Sequence, residues 1–298
     1  MVRSYLYVPG NAADKLAKAA GRGADALIVD LEDAVPPSLK DDARAAVVAW
    51  LRAGPPALPV WVRVNQGPAR DPDLRALAGL PGLAGVVLAK ALDAADVAAA
   101  AAVLAAAGDR DTPLMPLLEM AAAVLDAREI ARQPRVSQLQ IGEVDLTGEL
   151  GITPGDDEVE LVGIRTQVVL ASVAAGIAPP VGPVSRITAD PAALAVSTWR
   201  LRRLGFFGRA CVHPAQISVV HAVFTPTADE VERARAVIAL LDRAEAEGSG
   251  VVLDADGRMV DAAVLHAARR TLALVDASLV DASLVDASLV DASLAEAS

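Results

Sequence analysis

The chain has 298 residues, 54% of them apolar, a formal net charge of −11 and one cysteine, Cys211. That is enough apolar material for one large core, and a chain of this length suits a single barrel of about 250 residues with an appendage. The acidic balance excludes a general nucleic-acid binder, which needs a basic surface, and a lone cysteine excludes an intrachain disulfide.

Taken in order, residues 5–8 predict a first strand, followed by a helix over 11–22 with Asn11 as its N-cap. A second strand at 26–29 precedes a helix over 39–51 opened by Ser38. A strand at 60–64 is followed by a short helix over 71–80, and one at 85–88 by a helix over 93–107 that Gly108 stops. Strands at 114–118, 139–141, 177–181 and 208–212 alternate with helices over 121–132, 162–175 and 191–204, the last two ended by Gly176 and Gly205. A long helix over 227–246 has a charge-rich outer face. Eight strands alternating with helices predict an α/β fold, a TIM (β/α)8 barrel over 1–247.

Beyond the barrel, 248–274 reads as a small appendage: two extended pieces around an Asp-Gly turn, then a helix from 262. From 275 to 298 the chain repeats Leu-Val-Asp-Ala-Ser, a low-complexity tail without a sustained apolar face. The start lacks a signal segment with a small-residue cleavage site, and the longest apolar run, 97–107, is too short to span a bilayer. The expectation is a soluble cytoplasmic protein with no membrane or nucleic-acid partner.

Polar groups recur where the strands end: Asp30, Glu32, Asp33, Arg63, Lys90, Glu119, Glu143, Asp145 and His213. In a barrel these ends build the active site. Glu119 and Asp145 close consecutive strands, and two converging carboxylates suit Mg²⁺, which keeps waters or substrate oxygens. The other reading makes them loop acids bound to backbone amides. Zinc is disfavoured, because His213, His221 and His266 have no metal-ligand spacing and there is no second cysteine. Arg63 sits inside an apolar strand, where a guanidinium needs an acid or a bound anion; Glu32 and Asp33 are the expected partners. His213 reads as a structural loop residue, Cys211 as a core residue, and Asp261, from the residues alone, as a turn or helix cap.

Several segments in one order carry a stronger signal than any alone. They are Arg3-Ser-Tyr-Leu-Tyr-Val-Pro-Gly-Asn11, Gly23-Ala-Asp-Ala-Leu-Ile-Val-Asp-Leu-Glu-Asp-Ala-Val35, Val62-Arg-Val-Asn65, Leu118-Glu119, Gly142-Glu-Val-Asp-Leu146, Gly205-Phe-Phe-Gly-Arg-Ala-Cys-Val-His-Pro-Ala-Gln216 and Asp256-Gly-Arg-Met-Val-Asp261. Through them the chain resembles the HpcH/HpaI aldolase and citrate lyase β-subunit family, in particular its stand-alone CoA-ester lyases. The resemblance implies a TIM barrel with Glu119 and Asp145 as Mg²⁺ ligands and Arg63 on the α-keto acid portion. It implies that Asp261 is an acid/base reaching a neighbouring subunit's site, and hence a homo-oligomer, commonly a trimer or hexamer. Glu32 and Asp33 would support Arg63 or metal-bound waters. The family's usual Gly-Ala-Glu-Asp-Leu reads Gly142-Glu-Val-Asp-Leu146 here, with the first acid moved by one place, and Pro180-Val-Gly-Pro183 replaces a loop that often holds Asp-Gly.

The implied reaction is Mg²⁺-dependent carbon–carbon cleavage of a 3-hydroxyacyl-CoA, of malyl-CoA or citramalyl-CoA type, to acetyl-CoA and an α-keto acid. Lys18, Arg22, Lys90 and Arg209 are the candidate cations for the CoA phosphates. The alternatives are a citrate lyase β subunit acting on a citryl group held by an acyl carrier protein, and a barrel without catalysis that serves as a binding scaffold.

Overall fold

The computed structural model describes the chain apart from residues 55–56, 247, 255–256 and 279–298. β1 (Ser4–Pro9) leads to α1 (Ala13–Ala19), β2 (Ala26–Asp30) to α2 (Lys40–Ala53), and β3 (Val60–Val64) to α3 (Arg70–Leu77). β4 (Leu83–Leu88) leads to α4 (Ala94–Ala106), and β5 (Leu114–Leu118) to α5 (Ala121–Leu125) and α6 (Ala127–Ala131). β6 (Gln140–Ile141) runs into α7 (Glu143–Leu150), then α8 (Val162–Ala175) and α9 (Pro191–Leu204). β7 (Arg209–Cys211) is followed by α10 (Ile217–Phe224) and α11 (Ala228–Ala246). A hairpin of β8 (Val252–Leu253) and β9 (Met259–Val260) precedes α12 (Ala262–Ser278).

The first seven strands form one parallel sheet in the order β6-β5-β4-β3-β2-β1-β7. The sheet curls on itself. Tyr5 on β1 donates its hydroxyl to Gln138 at 2.9 Å, and Tyr7 donates to Gln140 on β6 at 3.4 Å, although β1 and β6 are far apart in the strand order. The expected strand over 177–181 is a correction: it contributes no strand to the sheet. Val181 makes one isolated parallel bridge to Gln140, and Gly182 one to Arg209. Pro179, Pro180 and Pro183 lack the amide N–H that a ladder requires.

Alternate strand residues face opposite sides of a sheet. Tyr5, Ile28, Trp61, Val87, Met115 and Ala210 pack together on the concave side. Leu6, Leu27, Val29, Val62, Val86 and Leu88 pack in the larger layer under the helices. α2 shows why such helices dock: Ala43, Val47 and Leu51 recur every fourth residue and are buried. α4 and α9 start on acid caps, Asp93 accepting from the Asp96 amide and Asp190 from the Ala193 amide.

Other expectations shift locally. Asn11 is not the cap of α1, which begins after Ala12 without a side-chain cap. Ser38 lies in a 3-10 turn, Pro37–Leu39, ahead of α2. The helix expected over 121–132 breaks at Asp126, whose carboxylate accepts the Ala94 amide at 2.7 Å. α7 and α10 were not expected; α10 buries Ile217, Val219, Val220, Val223 and Phe224 and has no polar face to give it a helical period.

The C-terminal hairpin and α12 pack against α11 through Leu241, Val260 and Leu265. α12 continues past 274 to Ser278, and the rest of the repeat lies outside the described residues. Among the described residues no helix is long and apolar enough to cross a membrane.

Gly85 faces Trp61 across β3 and β4, and a Cβ there would lie 2.2 Å from the indole ring. Gly85→Ala therefore overpacks the concave core and is expected to cost about 1–3 kcal/mol in denaturant unfolding. Unchanged stability would mean that the indole is free to move.

Candidate active site

The site continues the concave row of side chains by one more step at the C-terminal ends of the strands. Two residues beyond Tyr5, Ile28, Trp61 and Leu117 come Tyr7, Asp30, Arg63 and Glu119. They line a cavity of about 1010 Å³ together with Gln140, Asp145 and His213. This periodicity brings strongly polar groups to one end of the otherwise apolar concave side of the sheet.

Arg63 is the organising cation. It forks onto Asp30, Nε to Oδ1 and Nη2 to Oδ2 both at 2.7 Å, and its Nη1 lies 3.2 Å from Glu32. Its guanidinium lies over the Tyr7 ring, 5.1 Å from the centroid. Burial opposes the charge on Arg63, but the bonds to Asp30 together with the charges around it, those of Asp30 and Glu32 among them, outweigh burial and favour the protonated guanidinium. The main partner is thus Asp30, with Glu32 second; Asp33 is a correction to the expected pairing. Asp30 also accepts the amides of Glu32 and Ala34, at 2.8 and 3.0 Å, which fixes the loop after β2.

Lys90 has φ +48 at the turn after β4. Its backbone N–H donates to Glu119 Oε1 at 2.7 Å. Its ammonium reaches Glu32 at 2.5 Å and Asp33 at 3.3 Å, and lies 3.9 Å from Asp145. Lys90 therefore belongs to the carboxylate cluster, which corrects its assignment to a CoA phosphate. Arg209 is a second correction. Buried and bonded to Pro183 O, Ser197 and Thr198, it turns away from this cavity. Lys18 and Arg22 do line the cavity wall.

Burial raises the Glu119 carboxyl to about 7, the charges of Asp145 and Glu32 adding to the effect while the Lys90 amide and Arg63 oppose it. Burial also raises Glu32, against the pull of Lys90 and Arg63, and pushes the Tyr7 hydroxyl up to about 12. Gly142 opens the space beside Glu119: a Cβ there would lie 2.6 Å from the Glu119 Cβ and 2.9 Å from Oε2. Among the described residues no three His, Cys, Asp or Glu side chains are gathered to hold a metal by themselves. A buried acid with another acid beside it still fits a hard divalent cation that keeps part of its shell as water or substrate.

The model of the HpcH/HpaI aldolase/citrate lyase family matches residues 3–214. The chain belongs to this family. A citrate lyase subunit beta-like protein of Deinococcus radiodurans is 37% identical over 282 residues, covering 92% of this chain and 97% of its own. A (3S)-malyl-CoA thioesterase of Cereibacter sphaeroides is 36% identical over 278 residues, covering 92% and 95%. The crystal structure of CitE from Mycobacterium tuberculosis in complex with magnesium, acetoacetate and coenzyme A matches with a TM-score of 0.74 at 29% identity, over 91% of this chain and 97% of that one.

Within this family member, Arg63, Glu119, Asp145, Glu32 and Asp33 come together at one mouth. Asp261 does not join them in its own chain; its Oδ1 accepts the Ala263 and Val264 amides and caps α12. His213 lines the mouth, with Nδ1 accepting the Ala215 amide. Cys211 is buried, and burial raises its thiol to about 12. Tyr7 and Gln140 escaped sequence reading. Their signal was the concave parity of their strands.

A carboxyl raised from an ordinary 4.5 to about 7 binds its proton more tightly in the folded state. Stability therefore falls as pH rises across that window, by up to about 3 kcal/mol. With the metal chelated, Glu119→Gln should raise Tm at pH 8 by a few degrees, and the gain should vanish near pH 4.5. A gain that is the same at both pH values would show that charge is not its origin.

Proposed function

We propose that this chain is a Mg²⁺-dependent carbon–carbon lyase that cleaves a 3-hydroxyacyl-CoA, of malyl-CoA or citramalyl-CoA type, to acetyl-CoA and an α-keto acid. The observation that carries the reading is the buried Glu119 carboxyl beside Asp145 in a cavity that also holds the Arg63 guanidinium. The bridges at Val181 and Gly182 support closure of the curled sheet into a (β/α)8 barrel around that cavity.

Glu119 and Asp145 would hold the metal, which when bound supplies Lewis-acid polarisation of the substrate's oxygens. Arg63, pinned by Asp30 and backed by Tyr7, binds the carboxylate of the α-keto acid portion and stabilises charge as it develops on the neighbouring oxygen. Lys90 holds Glu32 and Asp33 in place and offsets part of the acidic charge. Asp261 of a second copy takes the hydroxyl proton. The bond between the hydroxyl-bearing carbon and the methylene beside the thioester then breaks. Its electron pair becomes the thioester enolate, which takes up a proton to give acetyl-CoA, while the hydroxyl carbon becomes the keto carbon of glyoxylate or pyruvate. Lys18 and Arg22 on the cavity wall bind CoA phosphates. The assembly is a homo-oligomer, a trimer or hexamer, in the cytoplasm.

The first test incubates the purified chain with malyl-, citramalyl- and citryl-CoA, with Mg²⁺ or with excess EDTA. Metal-dependent release of acetyl-CoA and a keto acid from one thioester is expected. Free malate and CoA would mark thioester hydrolysis instead, and no turnover by folded protein would point to a carrier-bound substrate or a scaffold. Asp145→Asn should remove most turnover, and full Mg²⁺-dependent activity in that variant would sink the metal assignment. Mixing inactive Arg63→Ala and Asp261→Asn chains should restore part of the activity if copies share a site; separately assembled variants that stay inactive after mixing and reassembly would count against sharing.

A further inference from the structure

The displaced acid of Gly142-Glu-Val-Asp-Leu146 takes no part in the chemistry above, yet both of its carboxylate oxygens are held. An α-helix turns once in about 3.6 residues, so positions i and i+2 point to opposite sides. Asp145 accordingly faces the first cavity, while Glu143 faces a second one of about 890 Å³ that shares only Val144 and Val184 with the first. There Arg165 of α8, 1% exposed, forks onto it, Nε to Oε1 at 2.6 Å and Nη2 to Oε2 at 2.8 Å.

The fork is one end of a longer chain of bonds. Arg165 Nη1 donates to Glu158 at 2.6 Å, the other Glu158 oxygen accepts from Ser197 of α9 at 2.7 Å, and Ser197 accepts from Arg209 of β7 at 3.1 Å. The first turn of α7 is thus tied through Arg165, Glu158 and Ser197 to β7, the strand at the other edge of the sheet. α7 has few other constraints. It starts at Gly142 without a side-chain cap, and Leu146 is its one buried side chain. At its far end Glu149 accepts the Ala121 amide, but that bond acts on the last turn.

We infer that Arg165, through its two-point grip on Glu143, is a positioning residue that sets the rotation of α7 and so aims Asp145 at Glu119. The role of Asp145 as a ligand rests on the proposed function; the grip on α7 does not. A planar guanidinium holding both carboxylate oxygens fixes orientation as well as distance, which a lysine ammonium cannot do. Groups that orient a metal ligand from behind change metal affinity by about 10- to 100-fold when removed.

The test uses the full chain with Arg165→Lys, Glu143→Gln and, as a comparison, Glu158→Gln, which leaves the fork intact. Mn²⁺ binding without substrate is measured by electron paramagnetic resonance, amide hydrogen exchange over α7 by mass spectrometry, and folding by melting. Arg165→Lys and Glu143→Gln are expected to melt within a few degrees of the parent, bind Mn²⁺ about 10- to 100-fold more weakly, and exchange α7 amides faster. Their kcat should fall with little change in KM for the thioester. Glu158→Gln should hold Mn²⁺ as the parent does. Folded Arg165→Lys and Glu143→Gln chains with parental affinity and parental α7 exchange would overturn the inference. If the parent binds no Mn²⁺, or Asp145→Asn binds it equally well, the metal reading fails; α7 exchange then decides alone, faster exchange keeping the positioning role and unchanged exchange removing it.

Discussion

The crowding of carboxylates at the C-terminal ends of a curled parallel sheet is the constraint on which the rest of the site depends. Asp30, Glu32, Asp33, Glu119 and Asp145 crowd one mouth, with Arg63 and Lys90 as the cations among them. The Arg63–Asp30 fork resolves one pair, and Lys90 with Glu32 and Asp33 resolves most of another. What is left over falls on Glu119 and Asp145. Burial, with the charges of Asp145 and Glu32 adding to it, raises the Glu119 carboxyl to about 7. A divalent cation between Glu119 and Asp145 would favour the ionised carboxyl and offset the cost of its burial.

The same arrangement explains why the site is rigid where it must be. Arg63 cannot swing, because its two partners and the Tyr7 ring hold three sides of it. Glu119 cannot retreat, because the Lys90 amide holds one oxygen and only the missing side chain of Gly142 leaves room at the other. Such preorganisation keeps polar groups aimed before substrate arrives. It also keeps the Glu119 carboxyl buried, so ionising it as pH rises costs stability at the point where chemistry is proposed.

Much of this was legible in the sequence, and the parts that were not share a cause. The rule that polar groups at strand ends build the site put Arg63, Glu119 and the Asp30–Asp33 acids at one mouth. The strand-end rule has no means of telling inward residues from outward ones when the strand is short. Arg209 sits in a three-residue strand beside Gly208 and turns outward into α9. Lys90 sits two residues past the strand in a left-handed turn, where parity no longer applies, so its backbone serves Glu119 while its side chain serves Glu32 and Asp33. Asp145 lies on a helix and not at a strand end; it reaches the site because β6 is only two residues long and α7 begins at once. The prolines around 180 were visible from the start, and their missing donors were a reason to expect bridges in place of a strand.

The C-terminal unit brings a second unmet requirement to the same problem. Its hairpin leaves Val251, Leu253 and Met259 exposed, at 49%, 61% and 65%, on a unit whose buried side, around Val260 and Leu265, is already used against α11. Apolar side chains set close together on a short hairpin favour a partner surface. Asp30, Glu32 and Asp33, meanwhile, are bound to Arg63, Lys90 or backbone amides, and Glu119 and Asp145 are assigned to the metal, so none of these five is left for the proposed proton transfer. Asp261 caps α12 through one oxygen, Oδ1, directly after Val260. A second copy seated against the mouth would cover the apolar hairpin and deliver this carboxylate in one movement, so the two requirements support the same assembly.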